Sequence, residues 1–265
     1  MSLFFKIATW NVNSIRIRIE QLAKWLQRNN IDIVLLQEIK CENTKFPYEI
    51  LEDIGYNCYV SGQKTYNGVA IISKHKADNI IVDFDDNPCK NEARFIMASL
   101  MLPIGYSIVT SVYVPNGRDV GSETYKLKLD FLNGLKKFVR SREFGVNFIL
   151  GGDFNVAQNE SDVYSVAEFE GKLLFTNEER ACIRAIKNSG VIDPTDFLLQ
   201  KNSNFTWWDY RNGDFQNNRG ARIDYFLTSP GTASIVLDQE VDVAIRSMNQ
   251  PSDHAPVILT LKMHK

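Results

Sequence analysis

The sequence predicts an α/β fold: mixed β-sheets covered by helices, in one domain over residues 1–265. Three observations predict it. Short apolar runs rich in β-branched and aromatic residues recur along the chain, most of them four to eight residues long, as strands are. Helical patterns lie between some of these runs, with apolar residues three and four apart. The chain opens strand–helix–strand, which favours a parallel pair, whereas later runs are joined by tight turns, which favour antiparallel pairs.

Phe5–Trp10 is the first strand. From Ile15 to Gln27, Ile19, Leu22, Ala23 and Leu26 share one helical face. Ile31–Leu36 and Val69–Ile72 are the next strands. Residues 95–117 contain no charged side chain and could be mistaken for a membrane span. Pro103 and Gly105 interrupt them, so they read as an antiparallel hairpin of Phe95–Met101 and Ser107–Val114. Ser122 to Val139 is a helix through Leu127, Phe131, Leu135 and Phe138. Asn147–Leu150 is a strand, and Glu178 to Asn188 is a helix with Gly190 beyond its end. Arg222–Leu227, Ile235–Leu237 and Pro256–Leu261 complete the strands.

Composition excludes several classes. Hydrophobic residues make up 44% and charged residues 23%, which is wrong for a disordered chain. Thirty basic side chains face 32 acidic ones, a net charge of −2, spread evenly over both halves. That balance argues mildly against a nucleic-acid partner, which usually draws a basic excess. Cys41, Cys58, Cys89 and Cys182 form no pair spaced for zinc or for a redox motif, so they read as reduced thiols. The opening Met1-Ser2-Leu3-Phe4-Phe5-Lys6 has no signal-peptide pattern. The expectation is a cytoplasmic monomer with no membrane partner.

Polar residues gather where strands end, the usual place for sites in open α/β sheets. The first strand ends in Asn11 and Asn13, and the second in Gln37 and Glu38. The hairpin's second strand ends in Tyr113, followed by Asn116. The strand near 150 runs through Gly151 and Gly152 to Asp153 and Asn155, which point to the same side in extended chain. Asp224 lies inside a strand that otherwise reads as core, and a lone carboxylate there is costly to bury without a partner. Of His75, His254 and His264, only His254 lies among site-like residues, in Ser252-Asp253-His254-Ala255-Pro256. A single such carboxylate or histidine is more often a cap or a surface group. Their convergence suggests a hard-cation site suited to Mg²⁺ or Mn²⁺, typical of phosphoryl chemistry.

These residues resemble the exonuclease III family of the endonuclease/exonuclease/phosphatase superfamily, over almost the full chain. Gln37-Glu38-Ile39-Lys40 looks like the family's Gln-Glu-x-Lys signature. Asn218-Arg219-Gly220-Ala221-Arg222-Ile223-Asp224 matches its Asn-x-Gly-x-Arg-aliphatic-Asp pattern. Phe205 to Tyr210, and Arg246-Ser247-Met248 through Pro256, look like its DNA-side segments. The chain departs from the family at Asp193-Pro194-Thr195-Asp196-Phe197-Leu198, where Asp-Thr-Phe-Arg is common.

The resemblance implies a four-layer α/β sandwich, two mixed β-sheets packed face to face and flanked by helices. It also implies base excision repair chemistry on double-stranded DNA: incision 5′ of abasic sites, 3′→5′ exonuclease action, and 3′-end clean-up, with abasic-site or nicked DNA as the special partner. Glu38 would be the main Mg²⁺ ligand, with Asn11 and Asp253 beside it. Asp153, held by Asn155, would orient or deprotonate the attacking water. His254, fixed by Asp224, and Tyr113 would bind the phosphate, and which of Asp153, His254 and Tyr113 moves the proton stays open. Arg94, Asn116, Arg118 and Arg219 would lie on the DNA side, and Trp207 would line the pocket for an extruded sugar, with Trp208 in the core. Ala221 stands where a bulkier pocket residue is expected. The competing readings are a superfamily phosphoesterase acting on RNA or on a phosphorylated lipid or inositol, and a DNA-binding module without catalysis. Setting aside Glu38, Asp153, Asp224 and Asp253 leaves 30 basic against 28 acidic residues. Arg94, Arg118, Arg219 and Arg222 are therefore expected to gather on the strand-end face, with the acidic residues on the far side.

Overall fold

The computed structural model describes residues 4–142, 147–198 and 205–263; residues 1–3 and His264 lie outside them. Over these residues the strands form two sheets. In the first, β1 (Phe4–Asn11) and β2 (Ile33–Gln37) run parallel at the centre, joined by helix α1 (Ile15–Asn29). Beyond β2, after the short α2 (Tyr48–Glu52), come the edge strand β3 (Asn57–Ser61) and β4 (Val69–Ser73), with β4 against β2. On the other side β1 pairs with the last strand of the chain, and the sheet reads β10-β11-β1-β2-β4-β3, where β10 is Val236–Val241 and β11 is Val257–Lys262.

The second sheet repeats the scheme. It is ordered β5 (Ala77–Ile81), β6 (Phe95–Leu102), β7 (Gly105–Tyr113), β8 (Asn147–Asp153), β9 (Asp224–Thr228). β6 and β7 are the expected hairpin, and β7 and β8 are parallel, joined by helix α3 (Glu123–Arg140). Between β8 and β9 lie α4 (Val166–Phe169) and α5 (Asn177–Lys187); α6 (Pro230–Ala233) follows β9.

Alternation along the strands makes the layers. Phe5, Ile7, Ile33, Leu35 and Ile71 from the first sheet meet Ile96, Ala98, Val109, Ile149 and Phe226 from the second in one buried core. The alternate residues Trp10, Val34, Leu36 and Ile72 point outward onto Ile19, Leu22 and Leu26 of α1. On the other side, Phe95, Val112 and Leu150 pack on Phe131, Leu135 and Phe138 of α3 and on Ile183 and Ile186 of α5. Because strand side chains alternate faces, each sheet is apolar on both faces, and four layers result. The expected sandwich is observed.

Local chemistry fixes the boundaries. The side chains of Thr176 and Glu179 exchange hydrogen bonds with each other's backbone and start α5. α5 stops at Lys187, and the chain reverses at Gly190, whose φ is +110°. β3 and β5 escape the sequence reading because they are half-exposed edge strands without a clean apolar alternation. β9 begins at Asp224, two residues later than expected: Arg222 N–H is already bonded to Asp162 O, and Ile223 O accepts from Phe154 N–H. Among the described residues no helix is long and apolar enough to cross a membrane.

Candidate active site

The two central parallel pairs end side by side, and that brings the polar residues together. Tyr113 and Asp153 are register partners at the ends of β7 and β8. β9 runs antiparallel to β8, so its first residue, Asp224, lies opposite the last residue of β8, Asp153. Asn11 ends β1 and lies opposite Gln37 of β2, with Glu38 next in the chain. Gln37 itself stays inside the sandwich, where its amide donates to Ser111 Oγ at 2.9 Å and to Thr9 Oγ1 at 3.1 Å. The 252–256 turn reaches the same place: Ser252 Oγ donates to Asn11 O at 2.7 Å, and Ala255 N–H to Thr206 O at 2.7 Å.

A hydrogen-bonded chain results. His254 Nδ1 lies 2.8 Å from Asp224 Oδ2, so the ring's other nitrogen faces the cleft, 3.8 Å from Asp153 Oδ2. Thr206 Oγ1 donates to the same Asp224 oxygen at 2.6 Å and accepts the Asp224 backbone N–H at 3.1 Å. Asn11 Nδ2 donates to Glu38 Oε1 at 2.8 Å and to Asp153 Oδ2 at 2.9 Å, and so bridges the two carboxylates. Its oxygen turns away to accept Asn13 N–H at 3.0 Å. Asn155 N–H holds Asp153 Oδ1 at 2.9 Å. The Asn155 side chain donates to Val114 O at 3.0 Å and accepts from Asn116 Nδ2 at 3.1 Å. Asp253 is gripped by Asn13 Nδ2 at 2.8 Å and Trp207 Nε1 at 3.2 Å. Glu38 and Asn155 both sit in left-handed backbone, at φ +48° and +51°, as residues at functional sites often do.

Burial sets the charges. Burial and the Asp224 carboxylate push the Asp153 pKa up to about 7, against the opposing pull of His254 and Asn11. Burial disfavours the His254 imidazolium, but Asp224 and Asp153 outweigh it and push its pKa up to about 10. Burial, followed by the charges of Glu38 and Asp153, raises the Tyr113 phenol well above its usual range, so it stays a donor. Asp253 is also disfavoured as an anion by burial, yet His254 and its hydrogen bonds hold its pKa below the usual value.

Glu38, Asp153 and His254 each turn one ligand atom inward, all within 4.8 Å of one another, and the two carboxylates suit a hard divalent cation. Above them opens a cleft of about 600 Å³. Its polar lining includes Tyr113, Asn116, Asn155 and Arg118, and its apolar lining Trp207, Ile223, Leu174 and Phe169. Lys172 and Arg211 lie on its rim with Glu168 and Asp209, so acidic residues share this face with the basic ones.

Several expected positions differ. Arg94 packs over the Tyr113 ring, 4.8 Å from its centroid, pairs with Glu92 and donates to Tyr113 O, so it braces the site from outside the cleft lining. Arg219 pairs with Asp214 at 2.7 Å and also lies outside that lining. Arg222 corrects the charge-segregation expectation: it is buried, bonded to Asp162 at 2.8 Å and to Asp193 at 3.0 Å, because two interior carboxylates need a counter-charge more than the surface does. Asp193 belongs to the segment that departs from the family pattern. Arg246 likewise faces inward, donating to Ser252 O with its guanidinium against Phe215, Tyr210 and Trp208. Ala221 is fully buried behind Trp207 and Val163 rather than on the cleft surface. Trp208 is in the core.

Sequence reasoning missed Thr206, the rim residues Lys172 and Arg211, and the buried Lys128. Only Thr206 left a signal, through its position in the Phe205–Tyr210 segment.

The chain matches the sequence model of the Endonuclease/Exonuclease/phosphatase family over residues 8–254. It is 34% identical over 261 residues to exodeoxyribonuclease III of Haemophilus influenzae, covering 95% of this chain and 98% of that protein. Among solved structures it is similar to the 3′ phosphatase NExo from Neisseria bound to a product DNA hairpin, with TM-score 0.92 and 34% identity over 98% of this chain and 100% of that one. It is also similar to an AP endonuclease from Archaeoglobus fulgidus, with TM-score 0.91 and 34% identity over 97% of this chain and 99% of that one.

Proposed function

The chain belongs to the endonuclease/exonuclease/phosphatase family, and from that membership we propose that it is a metal-dependent DNA phosphodiesterase of base excision repair. Its reactions are incision 5′ of abasic sites, 3′→5′ exonuclease action on duplex DNA and removal of blocked 3′ ends. The single observation that carries the reading is the buried Asp224–His254–Asp153 chain, with Glu38 beside it, at the floor of a cleft with both polar and apolar lining. The polar lining fits a phosphodiester, and the apolar lining fits an extruded deoxyribose. Whole-chain similarity to an exodeoxyribonuclease III and to an AP endonuclease supports DNA as the substrate.

The Glu38 carboxylate, with Asp153 and Asp253 nearby, would hold Mg²⁺, or Mn²⁺, and the ion would supply charge stabilisation to the phosphate. The chain's own residues do the rest. Asp153, with a pKa near neutrality, accepts the proton of the attacking water, and Asn155 N–H fixes the carboxylate. Asp224 and Thr206 hold the His254 ring, whose cleft-facing N–H donates to a non-bridging phosphate oxygen. Tyr113, kept neutral, donates to the same phosphate, and Asn116 with Asn155 lines its path. Trp207 and Ile223 exclude water from the sugar side. Arg118 approaches the phosphates of the flanking duplex, as do Lys172 and Arg211.

We read residues 1–265 as one catalytic domain acting as a monomer. Its four unpaired cysteines suit the reducing cytoplasm. The test is incubation with abasic-site duplex, undamaged duplex and a phosphoinositide, each with Mg²⁺ or EDTA. Mg²⁺-dependent cutting of the abasic duplex is expected; its absence, or turnover of the phosphoinositide alone, overturns the reading.

A further inference from the structure

We propose that Lys128, which touches none of the reacting groups, is a positioning residue for the phosphate side of the cleft, acting through the backbone of Asn155; this rests on the hydrolase reading above. The side chain leaves α3 for the interior and is fully buried, as is that of its partner Glu179 in α5. Its stem lies against Gly117, where a Cβ would come within 3.0 Å of Lys128 Cδ. The ammonium has three protons and meets three acceptors: the Glu179 carboxylate, Asn155 O at 2.7 Å and Asn116 O at 3.2 Å.

The last two acceptors belong to residues whose side chains bond each other at 3.1 Å and which both line the cleft. They follow the ends of the parallel strands β7 and β8, so one buried cation ties together the two loops that leave the central strands of the second sheet. Asn155 is held in left-handed backbone, at φ +51°. Its N–H is the group that fixes Asp153 Oδ1. Anchoring the Asn155 carbonyl therefore anchors the residue that orients the Asp153 carboxylate. Stability alone does not require this arrangement, because apolar groups often replace a buried ion pair without loss. An apolar pair would leave both carbonyls unheld. The planar guanidinium of arginine does not match three convergent acceptors.

The test is a double-mutant cycle on the full chain with abasic duplex and Mg²⁺. One arm is Lys128→Met/Glu179→Gln, in which glutamine keeps an acceptor for the Thr176 N–H; the other is Asp153→Asn, which removes the carboxylate that the Asn155 backbone orients. We expect the pair variant to lose about ten-fold in kcat with KM little changed, and to lose almost nothing further in the Asp153→Asn background, as for groups in one network. Equal factors in both backgrounds overturn the proposal, because a general structural role is additive. So does an unchanged kcat in a folded pair variant. Where circular dichroism shows that the pair variant does not fold, Lys128→Arg enters the same cycle under the same criterion. Failure of the unaltered protein to cut abasic duplex is a different result, and it removes the hydrolase reading itself.

Discussion

Asp153 shows how far one residue's chemistry depends on its surroundings. Its sequence setting, after two glycines at a strand end, gives it position; burial and Asp224 give it a pKa suited to moving protons near neutrality. Asp153→Asn should fold normally and lose about 100- to 10,000-fold in kcat on abasic duplex, the usual span for a general base. A near-normal rate at saturating Mg²⁺ would remove Asp153 from that role. Arg222 belongs to the same scale for the opposite reason. Burial opposes the Asp193 anion, but the Arg222 guanidinium outweighs it and holds the Asp193 pKa below the usual carboxylate range. Arg222→Met leaves Asp162 and Asp193 without their cation and should cost about 3–5 kcal/mol in urea denaturation. A loss under about 1 kcal/mol would mean that the pair is held by its other hydrogen bonds.

At the scale of elements, neighbouring tryptophans separate packing from recognition. Trp208 is 1% exposed, packs in the core around α1 and β1, and meets Phe215 edge-on at 5.3 Å. Trp207 turns the other way, its ring NH held by Asp253 and its face on the cleft. Trp208→Ala should cost about 3–5 kcal/mol of stability. Trp207→Ala should cost about 1 kcal/mol, the value of one hydrogen bond, and instead raise KM and narrow the preference for abasic over undamaged duplex. Equal destabilisation by both, with substrate preference unchanged, would move Trp207 into the scaffold.

For the whole molecule, pH and salt read the charge arrangement. Asp153 is raised from 3.8 to about 7, so the metal-free fold binds a proton that the unfolded chain gives up, and this contribution to stability is lost as pH rises through 7. His254 is raised from 6.5 to about 10; its contribution is full below 6.5 and is lost as pH rises through 10. In EDTA the melting temperature should therefore fall from neutral to alkaline pH. The stabilisation added by Mg²⁺ should grow with pH over the range where Asp153 ionises, since the ion competes with that proton. A Mg²⁺ shift independent of pH would separate the ion from Asp153. Few cations border the cleft, chiefly Arg118, Lys172 and Arg211, the last paired with Asp209 at 3.6 Å, so the logarithmic salt slope of DNA binding should not exceed about −3 in magnitude. A slope like that of a strongly basic protein would mean phosphate contacts far outside it.

By itself, the sequence determined the strands, the helices and most of the polar residues that converge at the strand ends; the four layers it gave only through the family resemblance. Strand and helix periodicity is local, so β1, α1, β7 and α3 were legible, as was the polar residue at the end of each central strand. Even the Asp224–His254 pair followed from the cost of burying a lone carboxylate. Only the tertiary structure decided which charges face water. Lys128 lies beside the apolar face of α3 and reads as a solvated residue until α5 brings Glu179 against it. Arg222 reads as a surface cation until Asp162 and Asp193 close around it from distant parts of the chain. Asn11 reads as an oxygen ligand until the Asn13 N–H takes its oxygen and turns its amide nitrogen to the carboxylates. Charge burial depends on partners far away in sequence, and no local pattern encodes them.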